Sequence, residues 1–214
     1  MSPITPEAMW NIPRVGSPAL AERWIVVPVT AWNERSEAMV TRLYRCEPEG
    51  GSVRPITSEE TSASSPALSP DGTTVSFVRK VGDRPQIHLM PIDGGEANAV
   101  SEVEGSVIGA VWGPDGTKLY VLSNVGATDT KGVHVTENAL YRYWDRWLTD
   151  GSRPHIFEVD LADMSVRDLT PGQEKWMRWE NTGEPTEDIA VSATRLVYCA
   201  LRPDAPYRDL RWST

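Results

Sequence analysis

The sequence is short of the residues from which active centres are usually assembled. Its 214 residues include three histidines and two cysteines, and phenylalanine occurs only twice. No Cys-x-x-Cys, His-Glu-x-x-His or calcium-loop spacing occurs, so no metal site is expected. There is no glycine-rich dinucleotide fingerprint and no phosphate loop, so no cofactor is expected either. The Gly-x-Ser-x-Gly nucleophile turn is also missing. Gly105-Ser106-Val107-Ile108-Gly109 has the glycine separation with the serine out of place, and it reads as a loop before a strand. No catalytic residue is therefore assigned within this chain.

Positive charge is scarce as well. Against 30 Asp and Glu stand 21 Lys and Arg, a net charge of −9, and the basic residues are scattered. That excludes the basic stripe that nucleic acid or an anionic membrane demands. No apolar run approaches the roughly 20 residues of a membrane span. The N-terminal MSPITPEAMWNIPRVG lacks the basic-then-apolar order of an export signal. These absences predict a cytoplasmic chain with no nucleic-acid and no membrane partner. In that setting Cys46 and Cys199 are expected to be buried thiols and not a disulfide.

Helical periodicity is sparse too. Thr5-Pro6-Glu7 carries an N-cap, a proline for the first helical position and an acid for the positive first turn, which predicts a short helix through Ala8, Met9 and Trp10. Residues 1–16 are read as that helix and a lead-in, and no persistent helical period follows before residue 136.

What is present instead is a repeat. Ser17-Pro18-Ala19-Leu20 returns 48 residues later as Ser65-Pro66-Ala67-Leu68; Pro70-Asp71-Gly72-Thr73 returns after 44 as Pro114-Asp115-Gly116-Thr117; Gly50-Gly51 returns after 44 as Gly94-Gly95. Proline presets φ at a turn's first corner and Asp-Gly completes the reversal, so Asp71-Gly72 and Asp115-Gly116 are read as structural turns. Asp93-Gly94-Gly95 is read as a hairpin turn needing positive φ. Val75, Phe77, Leu119 and Val121 alternate with small or polar neighbours, as strands buried mainly on one face do. A period near 44 with four strands per unit is that of a β-propeller.

The chain is thus expected to be all-β, a partial propeller of about three and a half four-stranded antiparallel blades over 17–214. The blades span about 17–57, 65–101 and 107–170, with a partial fourth at 188–214. The first is worn, having Ala21-Glu22-Arg23 where Pro-Asp-Gly would stand, and the third carries an insertion, 123–154. The fourth stops before a third strand, and an unclosed array leaves open strand edges, which predicts a fragment of a longer protein. Nine tryptophans (Trp10, Trp24, Trp32, Trp112, Trp144, Trp147, Trp176, Trp179 and Trp212) suit packing where an indole is half buried.

Within the insertion, Glu137–Leu148 reads as a helix, with Leu140, Tyr143, Trp144, Trp147 and Leu148 on one face. A rigid aromatic element in a scaffold loop is a place for binding. Glu137, Tyr143, Trp144 and Trp147 are accordingly the candidate substrate contacts, with packing over the rim as the competing role. The pair Glu59-Glu60 lies between blades and reads as a solvated acidic pair, although paired acids also suit a peptide ammonium. His88 alternates with Ile87 and Leu89 and is placed in solvent or between blades. His155 precedes a strand, and neither histidine adjoins a nucleophile in sequence.

Ser-Pro-Asp-Gly (69–72), Gly-Pro-Asp-Gly (113–116) and the trailing Asp-Gly-Gly turn resemble the TolB-like, or PD40, propeller repeat. The stretches TPEAMWNIPRVGSPAL (5–20), YWDRWLTDGSRPHIFEVDLADMSVRDLTPG (143–172) and DIAVSATRLVYCALRPDAPYRDLRWST (188–214) resemble the N-terminal part of the prolyl oligopeptidase family of serine peptidases, in its acylaminoacyl-peptidase and dipeptidyl-peptidase branches. That resemblance implies a parent serine peptidase, a hydrolase in which a C-terminal α/β-hydrolase domain holds the catalytic triad and the propeller filters and positions peptides. The implied partners are a peptide substrate and that hydrolase domain, with a homo-oligomer as a further option. The segment by itself is expected to be inactive. The alternative is a non-catalytic TolB-like propeller serving as a protein-interaction module.

Overall fold

The structure, a computed structural model, describes residues 5–100, 102–126, 142–143, 146–147, 152–173 and 185–200. The expected first helix forms as α1 (Pro6–Trp10), with Thr5 as N-cap, its hydroxyl accepting from the Ala8 N–H at 3.2 Å. The first sheet follows at once. It comprises β1 (Arg14–Val15), β2 (Ala19–Leu20), β3 (Ile25–Asn33), β4 (Ala38–Cys46) and β5 (Arg54–Pro55). Both β1 and β2 pair with β3, at opposite ends of it, so the first strand of this blade starts before Ser17 and is broken in the middle. Pro18, which has no N–H to give a ladder, sits at the break, and the Gly16 N–H there donates to the Pro28 carbonyl at 2.8 Å.

The second blade is β6 (Ser64–Leu68), β7 (Thr74–Val81), β8 (Arg84–Pro91) and β9 (Asn98–Ala99), in that order across the sheet. The third begins with β10 (Ser106–Trp112) and β11 (Lys118–Val125). Its insertion contains the two-residue strands β12 (Arg142–Tyr143) and β13 (Arg146–Trp147), and β14 (Arg153–Asp160) and β15 (Val166–Asp168) complete the sheet. A 3₁₀ turn (Pro185–Asp188) then leads to β16 (Ile189–Val191) and β17 (Leu196–Tyr198), the half-blade expected from residue 188. All pairings are antiparallel. The first strands of successive sheets, β2, β6, β10 and β16, lie beside one another, as blades stacked about a common axis require.

Each pair of neighbouring blades shares an apolar core. Val26, Leu43, Val75, Phe77 and Met90 meet between the first and second; Val78, Ile87, Leu119, Val121 and Phe157 between the second and third; Leu122, Ile156 and Ile189 between the third and fourth. The middle strands are therefore buried on both faces, not mainly on one as the alternation suggested. Their interposed serines go inside because their hydroxyls find backbone acceptors. Ser76 Oγ donates to the Ala67 carbonyl at 3.2 Å and Ser123 Oγ to that of Glu104 at 2.6 Å.

The turns behave as read. Asp71 accepts from the Thr73 N–H at 3.0 Å and from Ser69 Oγ at 2.6 Å; Asp115 accepts from the Thr117 N–H at 3.0 Å and its hydroxyl at 2.9 Å. Gly72 and Gly116 close these turns at φ +70° and +74°, where a Cβ is strained. Gly94 and Gly95 repeat the positive φ of Gly50 and Gly51 to within a few degrees. In the first blade the Ala21 N–H bonds the Trp24 carbonyl at 2.9 Å, so the worn turn still reverses the chain.

One repeated contact was not visible as such in the sequence. The residue after each outer strand donates its N–H to a third-strand carbonyl: Ile56 to Leu43 at 2.8 Å, Val100 to Ile87 at 3.0 Å and Leu169 to Ile156 at 2.8 Å. One residue further on, Thr57 Oγ1 accepts from the Leu43 N–H at 2.9 Å and Thr170 Oγ1 from that of Ile156 at 3.0 Å. Thr57 and Thr170, at the ends given to the first and third blades, are clasps that close the blade's last pairing.

The cysteines correct the sequence reading in part. Both are free, but Cys46 is half buried and Cys199 exposed. Cys46 is the last residue of β4, and Cys199 follows β17, which has no further strand beside it among the described residues.

Candidate functional site

The two ends of the stack are chemically different. At the turn end the Pro-Asp-Gly loops of adjacent blades leave three clefts of about 420, 280 and 380 Å³, one between each successive pair. Asp71, Asp93, Asp115 and Glu158 among their carboxylates are engaged. The turn hydroxyls and amides hold the Asp71 and Asp115 carboxyls below their usual range. Burial alone would raise Glu158, but Lys118 Nζ at 3.2 Å and an Arg167 nitrogen at 3.0 Å leave it lowered overall. In the first cleft Trp24 lies under the guanidinium groups of Arg23 and Arg45, 4.9 and 4.1 Å from its ring centre, and Arg45 also pairs with Asp93. This end is a set of saturated, repeating turns.

The other end carries the insertion, which leaves β11 at Val125 and returns at Arg153 to the directly paired residue of β14. Inside it the structure overturns one expectation. Tyr143 and Trp147 are on strands, not on a helix: β12 and β13 pair as a small antiparallel hairpin, with Arg142 opposite Trp147 and Tyr143 opposite Arg146. Aromatic residues favour extended backbone, and at Tyr143 and Trp147 that local preference outweighs a helical stripe only twelve residues long. Glu137 and Trp144 lie outside the described residues, as do Trp176, Trp179 and Trp212.

At this same end a polar residue at one repeated position ties the third strand of each of the first three blades to its outer strand or outgoing connection. In the first blade it is Arg42, whose Nε donates to the Thr57 carbonyl at 3.2 Å and whose guanidinium stands 3.7 Å from Glu59. Asn33 supports the same segment, donating to the Glu59 carbonyl at 3.1 Å. Glu59 is thus partnered by Arg42, while Glu60 is exposed. In the second blade Gln86 holds both the N–H and the carbonyl of Val103, at 2.9 and 3.0 Å. In the third His155 Nδ1 meets Asp168 Oδ2 at 2.8 Å, and Asp168 Oδ1 takes the Thr170 N–H at 2.8 Å. Arg42, Gln86 and His155 each precede the buried Leu43, Ile87 or Ile156. That shared position is the signal that would have singled them out.

Both described histidines are accounted for structurally. His88 lies between blades, buried, stacked on Phe77 at 5.9 Å, with Nδ1 3.3 Å from the Gln86 carbonyl; a carbonyl only accepts, so the proton sits on Nδ1. Burial pushes its imidazole below the usual 6.5, the Gln86 carbonyl opposes this, and the charge of Arg79 adds to the lowering. The His155–Asp168 pair has the look of half a triad, but the serine opposite in register, Ser123, has its hydroxyl on a backbone carbonyl. Among the described residues there is no cluster of three metal-ligating side chains.

No family model matches the chain. It is 30% identical over 151 residues to the uncharacterized peptidase YuxL of Bacillus subtilis, a match covering 64% of this chain and 23% of that protein. It is 22% identical over 188 residues to dipeptidyl-peptidase 5 of Porphyromonas endodontalis, covering 80% and 27%. Among solved structures it resembles the Pyrococcus horikoshii acylaminoacyl peptidase, with a TM-score of 0.63 at 18% identity over 80% of this chain and 27% of that one. The β-propeller domain of the Trilobed protease from Pyrococcus furiosus gives a TM-score of 0.53 at 14% identity, covering 80% and 47%. The chain spans about a quarter of the length of the curated relatives it matches. These two relatives are named as peptidases, a TolB homolog of Chlorobium luteolum also matches at 32% identity over 41% of this chain and 20% of that protein, and what the chain shares with the solved structures is the β-propeller fold.

Proposed function

We propose that this chain is the propeller segment of a serine exopeptidase or oligopeptidase and that it admits and positions peptides for a hydrolase domain elsewhere in the parent polypeptide. The observation that carries this reading is the match to two proteins named as peptidases over only the propeller-sized quarter of each. Nothing among the described residues supplies a nucleophile with a free base beside it, so the chemistry is assigned to that other domain, as a serine–histidine pair with an oxyanion hole would perform it.

Peptide contact is assigned to the insertion end. The second and third blades share the Pro-Asp-Gly turn at one end, whereas their connections at the other end differ, and the hairpin of Tyr143 and Trp147 belongs to the insertion there. The size of the opening and the insertion together filter substrates in this reading.

The test is the parent polypeptide. Purified, it should cleave acyl-aminoacyl or dipeptidyl chromogenic substrates and lose that activity to a serine-directed phosphonate, while the 214-residue segment cleaves neither. A parent inert towards acyl-aminoacyl, dipeptidyl and prolyl substrates overturns the reading.

A further inference from the structure

The first three blades repeat one set of cross-strand pairs. Between second and third strands, Ile25 faces Cys46 and Val27 faces Tyr44; Val75 faces Met90 and Phe77 faces His88; Leu119 faces Val159 and Val121 faces Phe157. The alignment is fixed by Leu43, Ile87 and Ile156. Their carbonyls accept the N–H that follows each outer strand, and they stand one residue before Tyr44, His88 and Phe157.

In the second and third blades every one of these side chains is buried. Val75, Phe77 and Met90 pack with Val26 and Leu43 of the blade before, and Leu119, Val121, Phe157 and Val159 with Val78 and Ile87. In the first blade the same positions are only half buried. Among the described residues, neither Ile25 nor Val27, Tyr44 or Cys46 joins a core between blades. The opposite face of that sheet is complete, with no exposed surface on Val26 or Leu43. The first blade is thus finished on one side and left on the other with two aliphatics, a phenol and a thiol, a face whose removal from water is favourable.

What lies on the equivalent faces says what fits this one. Each core joins unlike sides of two sheets. One side carries the pairs described above; the other offers an aliphatic residue from its second or third strand, Val26 and Leu43 in one core and Val78 and Ile87 in the next. Leu122 and Ile156 offer the following pair, to Ile189 of the half-blade. Two first blades pressed together would set like against like and reproduce none of these cores.

We infer that the outward face of the first blade, Ile25, Val27, Tyr44 and Cys46, is the docking surface for a further blade of the same repeat, supplied by the parent polypeptide. The inference rests on the proposed parent for the source of that blade; the half-covered face itself does not.

The experiment is photo-cross-linking of the parent carrying Tyr44→p-benzoylphenylalanine, mapped by mass spectrometry, together with thiol labelling of Cys46 in the unsubstituted protein. The cross-link should land on a second or third strand of another propeller blade in the same polypeptide. Iodoacetamide should alkylate Cys46 about tenfold or more slowly in the parent than in the 214-residue chain, because a thiol beneath a docked sheet reacts only when the contact opens. Peptide mapping separates Cys46 from Cys199. Equal alkylation rates overturn the assignment, and so does a cross-link to the hydrolase domain. A cross-link between two copies, recognised by mixing isotope-labelled and unlabelled protein, also overturns it and makes the occupant a second chain. The peptidase reading is decided separately, by hydrolysis. A cleaving parent with Cys46 open keeps that reading and removes this one, whereas an inert parent that shields Cys46 and cross-links to another of its blades keeps the docking face and removes the peptidase.

Discussion

The hydroxyl clasp at Thr57 has an energetic consequence that can be measured. Thr57 is 6% exposed, and its Oγ1 is the acceptor for the N–H of Leu43, a residue with no exposed surface. Thr57→Val keeps the shape of the side chain and replaces the acceptor by a methyl group. The Leu43 N–H is then buried without a partner, which costs about 1–3 kcal/mol. Thr57→Ser keeps the acceptor and removes one methyl group, worth about 0.8 kcal/mol. The valine variant should therefore be the less stable of the two, the reverse of what loss of apolar surface predicts. With a urea slope of about 2 kcal/mol/M for a chain of this size, a loss of about 2 kcal/mol lowers the unfolding midpoint by about 1 M. Tryptophan fluorescence reads it, since Trp24 and Trp32 lie in or beside this blade. Thr170→Val should give the same sign with a smaller effect, because its bond to Ile156 is only partly buried. Hydrogen exchange at the Leu43 amide should quicken in the valine variant alone. If Thr57→Val is as stable as Thr57→Ser, the clasp is an incidental contact and its recurrence in two blades means nothing energetically.

Two further outcomes follow from the same cores. Folding lowers the pKa of His88, so between its folded value and the usual 6.5 the unfolded chain binds the extra proton; stability is complete above 6.5 and falls as the pH drops below it. Phe157 and Tyr44 hold the equivalent position in the other blades, so His88→Phe should fold and should lose that part of the acid sensitivity, read as urea midpoints at pH 7.5 and 5.5; an unchanged pH slope would refute the assignment. Gly105 has φ +85°, and a Cβ there would lie 2.1 Å from the Asn124 carbonyl oxygen, whereas Gly82, at φ +60°, has nothing within 4 Å. Gly105→Ala should cost more than about 3 kcal/mol and Gly82→Ala about 1–2 kcal/mol; equal thermal midpoints for the two would show that the Gly105 crossing relaxes freely.

How much of this was legible in the sequence depends on whether a feature is carried by backbone geometry or by who meets whom. The turns were legible because positive φ and a fixed φ are demands that few residues satisfy. Asp71-Gly72 and Asp115-Gly116 announce themselves, and so do the paired glycines after the third strands. The period then points to the four-stranded sheets of the second and third blades. The burial of both faces of β7 and β11 was not legible, since a serine that bonds a backbone carbonyl looks in sequence like one that faces water. The insertion was misread because Leu140, Tyr143, Trp144 and Trp147 satisfy a helical spacing, while Tyr143 and Trp147 pair in strands.

The uneven legibility separates the two ends of the stack by what constrains them. At the turn end each blade must reverse its chain and seat against its neighbour, and in the second and third blades Pro-Asp-Gly does both; there the Asp71 and Asp115 carboxylates are already bonded. At the insertion end the constraint is only that each connection be anchored, and anchoring tolerates different chemistry. An arginine with a glutamate, an amide clamp and a histidine with an aspartate do the same mechanical work at Arg42, Gln86 and His155. Where mechanics leaves the residue type free, ligand recognition can choose it. The hairpin of Tyr143 and Trp147 belongs to that permissive end, where the described blades present different groups at Arg42, Gln86 and His155.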